Sequence, residues 1–293
     1  MNWPTLWQIV LETIALGSIY ALVAAGIVVI FRATGLFNFA HGQFMALAGY
    51  IGYTIQHYLG FNYAATAIAT AAIVFGLGAV TYWSLLRRLL GFPLWAPIMV
   101  TVGLSIVLDS VIDIVWQQNT FEIHGFQAIG RVELGWGAAL SNAAIINIAT
   151  AVVVLCALEL IFARTHYGRR LQAAAENPLL AGLAGIKVAR YFALAWGIGG
   201  ATAAIGGLGY STVALVTPTL VSLGLRAFPA ALVGGMDSVR GAAVGGFLVA
   251  FAEVWGVRTF GSAAADATVF LVLLLTLIVR PYGFFGSRDI ARV

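Results

Sequence analysis

Asn38, His41 and Gln43 fall inside one short polar interruption, Gly35-Leu-Phe-Asn-Phe-Ala-His-Gly-Gln43, of an otherwise apolar region. Two amides and an imidazole at that spacing supply neutral donors and acceptors. A helix start beside them frees further backbone groups, so the cluster suits recognition of a zwitterionic solute rather than bond-making chemistry. A second interruption, Thr217-Pro-Thr-Leu-Val-Ser-Leu-Gly-Leu-Arg-Ala-Phe-Pro229, carries Phe228 and leads to Gly234-Gly-Met-Asp-Ser-Val-Arg-Gly241. Irregular backbone at membrane depth persists only where protein or a water-filled cavity covers it, and Gly/Pro-interrupted segments in both halves of a chain point to a transport path. Six ionisable residues lie in apolar surroundings: Glu12, Asp109, Asp113, Glu159, Arg226 and Glu253. Each is costly in lipid and is expected to face the bundle interior, a cavity or the headgroup edge. Glu12 and Glu253 are the deepest by position, suited either to a helix-to-helix hydrogen bond or to solute contact. Asp109 and Asp113, four apart, share one helix face.

Enzymatic readings find no support. The histidines His41, His57, His124 and His166 are scattered, and no Gly-x-Ser-x-Gly elbow, His-Glu-x-x-His helix or Gly-x-x-x-x-Gly-Lys-Ser/Thr phosphate loop occurs. Any dependence on ATP must therefore come from another chain, and no cofactor is expected in this one. The single cysteine, Cys156, excludes an intrachain disulfide, and no metal-ligand cluster is present in the sequence.

The elements that must position these residues are membrane helices. Hydrophobic residues make up 61% of the chain and charged ones 9%, against about 25% in soluble domains. No Asp, Glu, Lys or Arg occurs over 33–86, 89–108, 134–158 or 191–225, and about 20 apolar residues cross a bilayer. The opening Met1-Asn-Trp-Pro-Thr-Leu-Trp lacks the basic region of a signal peptide, so the first apolar segment reads as a retained span. Nine crossings are expected, near 6–31, 40–57, 63–86, 95–116, 142–163, 188–212, 219–236, 241–257 and 266–280. The fold class is an all-helical polytopic bundle of eight or nine crossings with interrupted or re-entrant segments, one transmembrane domain over 1–293.

With the N-terminus outside, all of the 15 Lys and Arg except Arg131, Arg258 and Arg226 collect at cytoplasmic ends, which sets the orientation and puts the C-terminus inside. The net charge of +4 then reports topology and implies no nucleic-acid partner. Two hydrophilic stretches stand out. Residues 117–141 form an outside loop suited to a short hairpin or surface helix, and Arg164 to Lys187 form a cytoplasmic island, a place for a membrane-buried chain to meet soluble partners.

Three groups of motifs resemble the permease subunits of branched-chain amino acid ABC importers of the LivH/LivM type, in particular the LivH-like partner. These are Leu16-Gly-Ser-Ile-Tyr-Ala-Leu22 with the Gly35–Gln43 string; Gly168-Arg-Arg with Ala175-Glu-Asn-Pro178 and Ala184-Gly-Ile186; and Gly224-Leu-Arg-Ala-Phe228 with Gly234–Gly241 and Arg280-Pro-Tyr-Gly-Phe-Phe-Gly286. The resemblance runs in order along essentially the whole chain.

That resemblance implies a transport subunit of the bacterial inner membrane, not itself an enzyme, carrying branched-chain or related hydrophobic amino acids. It implies a second homologous permease, two cytoplasmic ATP-binding subunits and a periplasmic solute-binding protein as partners. The island then corresponds to the cytoplasmic coupling loop, with a short helix over Asn177 to Gly185 docking into an ATPase. Asn177 is placed to cap it, Pro178 to open it, and Ala181, Gly182 and Ala184 to form a small close-packing surface. Leu179 and Leu180 stand where many relatives have polar or acidic residues, and Arg240 where they often have proline. An amide or urea permease is the nearest alternative. A solute channel would be expected to carry paired Asn-Pro-Ala repeats in the breaks, which are absent, and an ion-coupled transporter would need Glu12, Asp109, Asp113 or Glu253 as its ion site.

Overall fold

The structure is a computed structural model that describes residues 3–93, 95–125, 130–133 and 138–286. Its helices are α1 (Trp3–Thr34), α2 (His41–Leu59), α3 (Tyr63–Ser84), α4 (Trp95–Trp116), α5 (Asn142–Arg164), α6 (His166–Glu176), α7 (Pro178–Leu183), α8 (Val188–Ser211), α9 (Leu220–Gly234), α10 (Val239–Phe260) and α11 (Ala265–Val279). The starts follow the sequence chemistry. Asn62, Ser141 and Ser238 accept the backbone N–H three residues on and so cap α3, α5 and α10.

Among the described residues, seven helices are long and apolar enough to cross a membrane: α1, α3, α4, α5, α8, α10 and α11, two of them extended by an adjoining 3-10 turn. The two remaining expected crossings are α2 and α9, the helices that adjoin the interruptions. At 15 residues α9 is about 22 Å long, short of a hydrocarbon core of about 30 Å. One further boundary differs from expectation. The second interruption lies at 212–219 and 235–238, while Pro229 sits inside α9, buried.

Burial orders the bundle. The most apolar windows of α1 and α8 are 78% and 72% buried, whereas those of α4 and α11 are 17% and 11% buried. The centre is therefore α1 and α8, wrapped by α2, α3, α9 and α10, with α4 and α11 outermost. Small residues make that centre possible in lipid, where close backbone approach replaces the hydrophobic drive. A Cβ built on Gly200 of α8 would lie 2.5 Å from the Val74 carbonyl oxygen of α3. Trp196, Tyr20 and Tyr50 are the largest fully buried side chains.

At one end of the bundle, β1 (Arg131–Glu133) pairs antiparallel with β2 (Ala139–Ser141), Arg131 opposite Ser141, as a short hairpin. Residues 126–129 and 134–137 of that loop lie outside the described residues, as do Arg288 and Arg292. Phe121 forms a bridge with Val216, tying the loop to the α8–α9 connection. At the opposite end Arg240 pairs with Glu159 at 2.7 Å, so the position that departs from the family pattern joins α10 to α5.

Candidate functional site

The first interruption is a re-entry. α1 stops at Thr34, where Gly35 takes a φ of +67°, a left-handed conformation that favours glycine. The chain then runs back toward the bilayer, and Asn38 starts α2. Its Oδ1 accepts the Ala40 N–H at 3.1 Å and its carbonyl accepts the His41 N–H at 3.1 Å. His41 Nε2 lies 3.2 Å from the Val23 carbonyl oxygen, eleven residues above the end of α1. At 1.5 Å per residue, Val23 lies about 16 Å along α1 from its end, so the His41 ring reaches well back into the bundle.

Three side chains there are buried and incompletely satisfied. Asn38 Nδ2, His41 Nδ1 and Gln43 Oε1 have no hydrogen-bond partner among the described residues, although the residues are 1%, 0% and 8% exposed. Buried polar atoms in native proteins are normally paired with protein or ordered water, so each of these three is a group able to receive water or a polar solute, as are Thr13 Oγ1, Thr70 Oγ1, Tyr82 OH and Trp196 Nε1 elsewhere among the described residues. The amides and imidazole offer both donors and acceptors to it.

An aromatic ladder flanks the site. Phe31 contacts Phe37 at 4.8 Å between ring centroids, Phe37 contacts Phe39 at 6.3 Å, and Phe39 stacks on Phe228 of α9 at 5.5 Å. The strings Gly35–Phe39 and Gly224–Phe228, similar in sequence, thus meet in space. Their helices touch through glycine: a Cβ on Gly42 would lie 2.6 Å from the Val221 carbonyl oxygen, and one on Gly224 2.6 Å from the Gly42 Cα.

A second polar cluster joins α9 to its other neighbours. Arg226 donates through Nη1 to Glu253 Oε1 of α10 at 2.6 Å and through Nε to Asp266 Oδ1 of α11 at 2.7 Å. Tyr20 of α1 donates its hydroxyl to the other Glu253 oxygen. Both oxygens of the buried carboxylate are thereby satisfied, which offsets the desolvation that isolates most membrane-buried charges.

A cavity of about 200 Å³ lies elsewhere, between α1, α3, α5 and α8, with Ser18, Tyr63, Ala67, Asn147 and Gly209 in its wall. Neither polar cluster opens into it.

The profile of the family described as "Branched-chain amino acid transport system / permease component" matches residues 9–279. The chain belongs to this family. Relatives agree along its full length. It is 29% identical to the high-affinity branched-chain amino acid transport system permease protein BraD of Pseudomonas aeruginosa, over 98% of this chain and 97% of that one. Identity to the corresponding protein LivH of Escherichia coli K12 is 28%, over 96% and 95%. Identity to the probable branched-chain amino acid transport permease protein LivH of Methanocaldococcus jannaschii is 27%, over 95% and 92%. The chain is a multi-pass membrane permease component of a transport system.

The remaining candidates of the permease separate. Glu12 is not deep: it pairs with Arg258 of α10 at 2.5 Å, both side chains more than a third exposed, and also accepts from Gln8. It joins two helices. Asp109 and Asp113 are exposed on α4, away from both breaks.

On the island, Asn177 Oδ1 accepts the Leu180 N–H at 3.0 Å and Pro178 opens α7. Gly185, at φ +81°, ends the turn with Ile186 N–H bonded to the Ala181 carbonyl at 3.0 Å. One expected assignment is corrected here. Ala181 is 5% exposed and faces the permease itself, so it cannot belong to an outward docking surface. Its methyl anchors α7 instead. Gly182, Ala184 and Gly185 are exposed, and the outward face carries Leu179, Leu180 and Leu183 at 75%, 61% and 79% exposure. Spacings of three and four put these leucines on one side.

The sequence reading missed Phe31, Phe37, Tyr20 and Asp266. A phenylalanine every few residues from Phe31 to Phe39 was the available signal for the first two. Tyr20 and Asp266 are bound to partners too distant in sequence for any local pattern to mark.

Proposed function

We propose that this permease translocates branched-chain or related hydrophobic amino acids across the bacterial inner membrane as one subunit of an ATP-driven importer. In this reading a homologous second permease completes the path, two cytoplasmic ATP-binding subunits drive it, and a periplasmic binding protein delivers the solute. The C-terminus lies in the cytoplasm, in line with the basic residues gathered at that end of the bundle.

One observation carries the reading of the path. The start of α2 carries Asn38, His41 and Gln43, each buried with an unpartnered polar atom, next to Phe39, which stacks on Phe228. Polar groups there suit a solute's charged ends and the aromatic ladder suits an apolar side chain. At the cytoplasmic end, α7 offers three exposed leucines to an ATPase groove, with Gly182, Ala184 and Gly185 allowing close approach. Energy comes from ATP bound by those subunits; this chain contributes no cofactor.

Reconstitution of the permease pair in proteoliposomes tests it. Amino acid uptake should need the binding protein, the ATP-binding subunits and ATP. Uptake that persists without the ATP-binding subunits and ATP refutes the proposal. Uptake abolished by collapsing an ion gradient but indifferent to ATP would establish ion coupling instead.

A further inference from the structure

On α9 an exposed strip runs between the Phe39–Phe228 stack and the Arg226 cluster. At about 100° per residue, Phe228, Leu225, Ser222 and Arg226 follow one another within roughly 160° of arc. Leu225 and Ser222 are exposed, while Phe228 and Arg226 are half-buried at either edge. One edge of the strip is therefore aromatic, closed by Phe39, and the other is a guanidinium. Arg226 lies on the second turn of α9, level with Asp266 in the first turn of α11.

The two carboxylates on Arg226 are not equivalent. Glu253 has a 9% exposed side chain and both oxygens occupied, by Arg226 and by Tyr20. It is a fixed counter-ion. The Asp266 side chain is 65% exposed and holds Arg226 through a contact from Oδ1 to Nε at 2.7 Å. An ion pair with so exposed a partner is weak and exchangeable. A guanidinium offers five N–H donors in a planar fork, which matches a carboxylate in bidentate fashion. Side-chain exposure of 17% leaves Arg226 reachable from the strip.

We propose that Arg226 is the recognition group for the solute's carboxylate, and that Asp266 is a placeholder carboxylate which keeps Arg226 paired until the solute takes its place. The solute's apolar side chain then lies along Leu225 toward Phe228 and Phe39. This selects a small apolar carboxylate over an amide or urea. The inference rests on the reading of the chain as a solute permease.

The test uses the purified complex of both permeases and the ATP-binding subunits, without the binding protein, whose own selectivity would mask that of the membrane site. Equilibrium binding of radiolabelled L-leucine is competed with unlabelled L-leucine and with L-leucinamide, which keeps the ammonium and the side chain but lacks the carboxylate. Leucinamide should compete about tenfold or more weakly than leucine, the loss expected for a charge-assisted hydrogen bond. Arg226→Gln alone strands a buried carboxylate, so it is combined with Glu253→Gln. The double variant should lose that discrimination, Arg226→Lys should recover part of it, and Asp266→Asn should bind leucine more tightly than wild type. Equal competition by the two probes, no saturable leucine binding by wild type, unchanged leucine binding in the double variant, or weaker binding in Asp266→Asn each overturns the inference. ATP-dependent uptake by the wild-type complex with its binding protein is measured alongside. If that uptake is present, an overturned inference leaves the permease reading standing; if it is absent, the permease reading itself fails.

Discussion

Replacing Gly42 by alanine should destabilise the permease, whereas the same replacement at Gly76 should stabilise it. The two differ in what the new methyl meets. At Gly42 it would lie 2.6 Å from a backbone oxygen of α9, against an ordinary contact of at least 3.4 Å, so α2 and α9 must part by about 3.4 − 2.6 = 0.8 Å. No flexible side chain can yield in their place, and overpacking of this kind costs about 1–3 kcal/mol. Gly42 is also the second residue of α2, where alanine gains little helix propensity. At Gly76, inside α3, nothing lies within 4 Å, so alanine gains about 0.5–1 kcal/mol of propensity with no clash. The variants should differ by about 2–4 kcal/mol in opposite directions from wild type. Unfolding of the detergent-solubilised permease in a denaturant titration reads both. Because the Gly42 contact also sets the spacing of Phe39 against Phe228, Gly42→Ala should slow uptake and Gly76→Ala should not. Gly42→Ala as stable as Gly76→Ala, with normal uptake, would refute the close-packing argument for the α2–α9 contact.

Asn177→Ala removes the cap of α7 and should cost about 1 kcal/mol locally, seen as faster amide exchange over 178–183 and weaker coupling of ATP hydrolysis to uptake. A Cβ at Gly182 would meet nothing within 4 Å, so lost uptake in Gly182→Trp with normal membrane insertion would report a partner surface; normal uptake in both Gly182→Trp and Ala184→Trp would remove the docking assignment. Leu183→Asp should reduce co-purification of the ATP-binding subunits without lowering permease stability by more than about 0.5 kcal/mol. Glu253→Ala leaves the Tyr20 hydroxyl without its acceptor and Arg226 with Asp266 alone, and should destabilise the permease more than Glu12→Ala, which at a partly exposed pair should cost about 1 kcal/mol or less in the same denaturant titration.

The helical bundle was legible because lipid imposes one rule: about 20 apolar residues in a row. The breaks were legible too, since Gly35, Asn38 and Pro218 are residues that a continuous lipid-facing helix excludes. Pro229 was misread as part of a break because local chemistry is ambiguous: tertiary packing lets α9 run through a proline whose missing N–H leaves one carbonyl unbonded. Ala181 was misassigned for a similar reason. Small residues mark close approach, but not whether the approaching surface is the chain's own or a partner's. The pairing of Arg226 with Glu253 and Asp266 was beyond sequence reading, because partners 27 and 40 residues away are chosen by how helices cross.

The link between Tyr20 and Glu253 spans 233 residues and lies between the first helix to be made and the tenth. At synthesis rates of about 5–20 residues per second, α1 must wait on the order of ten seconds or longer before its partner helix exists. During that interval a helix whose apolar window is destined to be 78% buried stands with its polar groups exposed to lipid or to the insertion machinery. Assembly of this permease should therefore be limited by the late arrival of α10, and truncations ending before Glu253 should leave α1 inserted but open to degradation.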